Sequence, residues 1–109
     1  MTDKRIVLTT AGSRNEAHRI ADALLEGQLA GCVNIVPQME SVYRWGGKVE
    51  RAEEWLLVIK TTAAAFPHVR DAIKEMHSYD LPECVCIAIE DGSSEYLKWL
   101  DDAVAPIRG

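Results

Sequence analysis

Residues 32–62 read CVNIVPQMESVYRWGGKVERAEEWLLVIKTT, and the fold turns on this stretch. Two runs rich in β-branched, aliphatic and aromatic residues flank Gly46-Gly47. That dipeptide enters the left-handed backbone region without steric cost and marks a tight hairpin. With a two-residue turn, Trp45 faces Lys48, and Ile35 falls opposite Val58 unless a bulge slips the register. Pro37 lacks an N–H, so a bulge or bend is expected there. Arms of roughly 15 residues reach about 50 Å if straight. A chain of 109 residues makes a globule about 35 Å across. The hairpin must therefore bend or project beyond its own domain. It carries Val42, Tyr43, Trp45, Val49 and Trp55. Long edges and large rings of this kind invite pairing with another chain, so a homo-oligomer is expected, each hairpin lying against a neighbour's sheet.

The flanking elements complete the pattern. Residues 5–10 are aliphatic and β-branched, a first strand ended by Ala11-Gly12. Ser13-Arg14-Asn15-Glu16 has the form of a capping box. Ala17, Ile20, Ala21, Leu24 and Leu25 follow at helical spacing, which predicts a helix over about 14–30 with Gly31 at its C-terminus. A second helix is expected over about 65–77, with Pro67 in its first turn and Phe66, Val69, Ile73 and Met76 facing inward. From Glu83 to Ile89 both alternating sets are apolar, the pattern of a strand buried on both faces. Ser93 then caps a third helix with Leu97, Leu100 and Val104 as its stripe. The order βαββαβ plus a helix predicts an α+β class: a ferredoxin-like antiparallel sheet with a C-terminal helix and a long hairpin, all in one domain over 1–109.

Composition bounds the partners. Seventeen acidic against twelve basic residues give a formal net charge of -5, which disfavours nucleic acid. No apolar run approaches the roughly 20 residues needed to span a bilayer, so no membrane partner is expected. Three cysteines, Cys32, Cys84 and Cys86, do not make a disulfide framework and suit a reducing cytoplasm. The third strand lacks the glycine-aromatic signature of an RNA-recognition module, and no nucleophile-elbow, P-loop or dinucleotide-binding glycine pattern occurs.

Several segments together resemble the CutA family of divalent-cation tolerance proteins. Gly31-Cys32-Val33-Asn34-Ile35 is similar to its "A-C-V-N-I" segment, and Ser41 to Glu50 to its "S-x-Y-x-W-x-G-K-x-E" hairpin. Glu54 to Thr61 resembles its third strand ending in Lys-Thr, His77 to Glu83 its "H-P-Y-x-x-P-E", and Tyr96 to Leu100 its "Y-L-x-W-I/L". The resemblance implies a cytoplasmic homotrimer similar in build to the PII-type signalling proteins. It also implies a link to tolerance of copper and other divalent cations, and no established catalytic activity. The alternative it leaves open is a PII-like module that binds a small anionic metabolite. Three positions depart from the family pattern. Ser78 replaces the proline of "H-P-Y", and Thr9 and Met76 stand where some relatives offer a cysteine and a second histidine.

The candidate residues follow from side-chain chemistry at these positions. His77, Cys32 and Glu83 are the expected metal ligands: an imidazole at a helix end, a soft thiol near Lys60, and a carboxylate beside the same loop. Glu54 can add a second carboxylate. The cofactor, if one is held, is then a divalent cation such as copper. Lys60 and Tyr79 are the expected contacts for a small ligand. Tyr43, Trp45, Trp55 and Trp99 are expected at subunit interfaces, because an acidic chain gives aromatic rings little use as a platform for bases.

Overall fold

The computed structural model describes residues 2–106. The elements run β1 (Lys4–Ala11), α1 (Arg14–Glu26), β2 (Cys32–Trp45), β3 (Lys48–Thr62), α2 (Phe66–Met76), β4 (Val85–Ala88) and α3 (Ser94–Ala103). The four strands form one sheet in the order β2-β3-β1-β4, with every neighbouring pair antiparallel. The α+β antiparallel sheet with its C-terminal helix is thus present.

The hairpin turn is as its glycines require. Gly46 and Gly47 have φ of 58° and 78°, and Trp45 pairs with Lys48. The register slips between Val36 and Met39, so Ile35 lies opposite Leu57 rather than Val58. Gln38, directly after Pro37, takes φ 54° at this bulge. The long axis of the molecule is 44 Å against 25 Å in the other two directions. Val42, Tyr43, Trp45 and Val49 on the outer half of the hairpin are exposed. Trp55 differs from them. It sits opposite Ala11 and packs, partly buried, against the core of its own chain.

One face of the sheet is covered. Val7, Leu57 and Ile59 are fully buried beneath Ala17, Ile20 and Leu24 of α1 and Val69 and Ile73 of α2. Directly paired residues point to the same side of a sheet. The register therefore puts Ile6, Leu8, Val36, Leu56, Val58, Val85 and Ile87 together on the opposite face, which α1 and α2 leave uncovered. Leu100 and Val104 form a second small cluster with Ala65.

Three expectations change. Helix α1 ends at Glu26, not near residue 30: Gly27 caps it, Gln28 takes φ 55°, and Leu29 N–H donates back to the Leu24 carbonyl at 2.9 Å. Leu29 still packs on the core, which is why the apolar stripe outlasts the helix. Helix α2 begins one residue later and ends one earlier than expected. Strand β4 is four residues long and exposed in the single chain, not buried on both faces. It is an edge strand that pairs with β1 alone, so its two apolar faces have no cover within this chain.

Two substitutions test the packing in opposite directions. Thr9 Oγ1 is buried without a hydrogen-bond partner among the described residues. Thr9→Val is expected to raise stability by about 1 kcal/mol, read as a higher urea midpoint at fixed protein concentration. A Cβ on Gly31 would lie 2.7 Å from Leu100 Cδ1 and 3.2 Å from Ala103 Cβ. Gly31→Ala is therefore expected to lower the same midpoint, by about 1–3 kcal/mol, as α3 is pushed away.

Candidate ligand-binding cavity beside a buried carboxylate network

The Ser13 hydroxyl caps α1 as its sequence requires, accepting from Glu16 N–H at 3.1 Å. The reciprocal half of the capping box is not made. Glu16 instead accepts from Gly12 N–H at 3.3 Å through Oε1 and from Ser78 N–H at 3.0 Å through Oε2. One carboxylate thus joins the end of β1, the start of α1 and the loop after α2. Burial pushes the Glu16 carboxyl upward, but the hydrogen bonds from Ser78 and Gly12 outweigh it and hold it below the usual carboxylate value.

His77 is fixed in the same network. Its side chain is 0% exposed, and Nε2 lies 2.6 Å from the Thr10 carbonyl oxygen. Nδ1 lies 3.1 Å from Tyr79 N and 3.9 Å from Glu16 Oε1. Donation by Nε2–H to Thr10 with acceptance by Nδ1 from Tyr79 satisfies both nitrogens in the neutral ring. The Tyr79 ring lies against the imidazole, centroids 4.6 Å apart. Its hydroxyl donates to Glu54 Oε2 at 2.9 Å. Gly12 leaves room for this, since a Cβ there would meet the Tyr79 hydroxyl at 2.9 Å. Burial, together with the hydrogen bond to Glu54 and its charge, pushes the Tyr79 phenol up to about 12.

Beside this network opens a cavity of about 360 Å³, lined by Thr10, Tyr43, Trp45, Glu54, Tyr79, Asp80, Leu81 and Glu83. Glu54 is only 8% exposed, and no lysine, arginine or histidine forms an ion pair with it among the described residues. The walls are therefore acidic and aromatic.

The expected ligands do not converge within one chain. Glu83 lines the cavity, while His77 has both nitrogens occupied behind it. Cys32 lies opposite Lys60, which is paired with Ile6, four positions along β1 from Thr10. That separation is about 13 Å along the strand. Lys60 Nζ donates to Asn34 Oδ1 and lies 4.0 Å from Cys32 Sγ, away from the cavity lining. Among the described residues no three histidine, cysteine or acidic side chains are close enough to hold one ion. Tyr79 and the interface candidates Tyr43 and Trp45 are at the cavity; Trp99 stacks near Tyr96 on α3, centroids 5.5 Å apart. Thr10, Asp80 and the bridging role of Glu16 escape the sequence reading. Glu16 carries a capping signal that already accounts for it locally.

These features define a small α+β protein whose uncovered sheet face and projecting hairpin flank an acidic, aromatic cavity. The model of the CutA1 divalent ion tolerance protein family matches residues 5–103, and the chain belongs to this family. A divalent-cation tolerance protein CutA of Thermus thermophilus is 47% identical over 97 residues, covering 89% of this chain and 94% of the relative. Its counterpart in Archaeoglobus fulgidus is 48% identical over 99 residues, with 90% and 95% covered. A chloroplastic CutA protein of Arabidopsis thaliana is 39% identical and is covered over 54% of its length. The solved Thermus structure superposes with a TM-score of 0.91 at 45% identity, covering 94% of this chain and 99% of that one. The Archaeoglobus structure, described as a periplasmic divalent cation tolerance protein, gives 0.90 at 45% identity, with 94% and 99% covered.

The phenol–carboxylate pair has a spectroscopic signature. Tyr79 is expected to ionise near 12, as a late step in absorbance at 295 nm. Tyr79→Phe should remove that step. Because the folded value lies above the unfolded value of 10.0, the unfolded chain loses its proton first. The contribution of Tyr79 to stability should therefore be complete below pH 10 and fall as pH rises toward 12.

Proposed function

We propose that this protein serves divalent-cation tolerance as a cytoplasmic homotrimer that holds metal ions, copper among them, at carboxylates in clefts between copies. The observation that carries this reading is Glu54, a buried carboxylate without a cationic partner among the described residues, beside Asp80 and Glu83 in one cavity. A buried negative charge is costly unless a cation neutralises it. Among the described residues a single chain brings no complete ligand set together, and the hairpin and uncovered sheet face offer a way for a second copy to complete one.

Hairpin against sheet is a contact between two different surfaces. Such contacts, repeated head to tail, close into a ring when the rotation between copies is a whole fraction of a turn, and a third of a turn gives the trimer. The exposed apolar residues Val85 and Ile87 of the edge strand and Tyr43 and Trp45 of the hairpin are then covered by neighbours, and Trp99 by a further part of the interface. Cytoplasmic residence accords with three free cysteines, and no helix of the described residues is long and apolar enough to cross a membrane. The role is binding, not turnover. A PII-like role in sensing an anionic metabolite finds less support: Lys60 lies outside a cavity whose charged walls are all carboxylates.

The test is light scattering for assembly, then calorimetry with Cu(II) and Zn(II). The expected mass is three chain masses. Glu83→Gln combined with Glu54→Gln should weaken ion binding by about tenfold or more. His77→Ala should instead lower stability by about 1–3 kcal/mol, because Thr10 and Tyr79 lose their buried partner, and leave the ion affinity in place. Unchanged affinity in the double carboxylate variant would overturn the proposed ligands.

A further inference from the structure

We propose that the same cavity binds a small organic cation, an ammonium group carried on an apolar or aromatic body. This rests on the reading of the cavity as a cation site and adds a ligand class to it.

Three observations point to this chemistry. First, the most buried charged group of the lining is Glu54, 8% exposed, whose one hydrogen-bond donor among the described residues is the neutral phenol of Tyr79. Neutralising that charge calls for a positive group from outside the chain. Second, the walls include the rings of Tyr43, Trp45 and Tyr79. A hydrated inorganic ion gains little from aromatic faces, whereas an alkylammonium is drawn to them by the ring quadrupole and buries its carbon atoms against them. Third, the acidic side chains are spread around the cavity rather than gathered, and no three potential ligands among the described residues approach closely enough to chelate one ion. A volume of about 360 Å³ suits a molecule of fragment size, near the lower end of small-molecule sites. An ammonium seated on Glu54 would leave Asp80 and Glu83 to screen it or to meet a second amine. Anionic ligands are excluded by the same charges.

The experiment uses the assembled full-length protein and titrates phenethylammonium against 2-phenylethanol, a neutral molecule of the same shape, by calorimetry and tryptophan fluorescence. The amine should bind about tenfold or more tightly than the alcohol. Glu54→Gln should remove most of that preference. Trp45→Leu, read alongside the assembled mass by light scattering because the same ring is proposed to meet a neighbouring copy, should weaken the amine by about fivefold. Equal binding of amine and alcohol, or no loss in either variant, would overturn the proposal. So would amine binding that emerges only after Arg44, Lys48 and Arg51 are replaced by alanine, because a neighbour's hairpin cation would then be the native occupant. Ion binding without amine binding overturns this inference and leaves the metal reading standing. Amine binding without ion binding does the reverse.

Discussion

The Glu16 carboxylate is the point on which the local architecture depends. It takes backbone N–H groups from Gly12 and Ser78, 66 positions apart in the chain (78 − 12). Hydrogen bonds from neutral amides to a carboxylate are among the stronger ones available inside a protein. They fix the loop after α2 against the end of β1. Once that loop is placed, His77 meets the Thr10 carbonyl, Tyr79 stacks on the imidazole, and the phenol reaches Glu54. The cavity wall is the outer surface of this chain of bonds.

That arrangement concentrates negative charge where water is scarce. Glu16 is satisfied by amides, whereas Glu54 relies on a phenol that is itself held protonated by burial and by the adjacent charge. The two carboxylates differ in purpose accordingly. Glu16 is used up by structure; Glu54 retains an unneutralised charge at a cavity. A buried carboxylate of the second kind is costly to the fold, and a positive group arriving at the cavity would relieve that cost.

Much of this order is readable from local sequence signals, and the failures are physical. Gly46-Gly47 announces its turn because both residues need positive φ, and Ser13 announces a cap because the first amides of a helix lack partners. Strand β4 misleads because its apolar residues on both faces indicate burial without saying by what; in the single chain they are exposed. The apolar stripe of α1 continues through Leu29 although the helix stops at Glu26, since packing on the core does not require helical backbone. His77 reads as a ligand from its position at a helix end. Its real partners, a carbonyl of β1 and an amide two residues on, are set by tertiary docking that no local pattern encodes. The cavity is partly legible through Glu54, Tyr79 and Glu83, but Thr10 and Asp80 join it only through the fold.

The bulge at Pro37-Gln38 has an effect that reaches past its own geometry. Below it, even-numbered residues of β2 such as Asn34 and Val36 share a face with Val58 and Leu56; above it, odd-numbered Met39 and Tyr43 share that face with Glu54 and Glu50. One additional residue has exchanged the two sides of the outer hairpin. Were β2 to pair regularly onward from Val36 with every residue retained, Val42 and Arg44 would stand where Tyr43 and Trp45 now line the cavity, and a guanidinium would sit near Glu54. The bulge therefore acts as a parity device for recognition: by absorbing one residue of β2 it puts Tyr43 and Trp45, rather than Val42 and Arg44, on the side of Glu54.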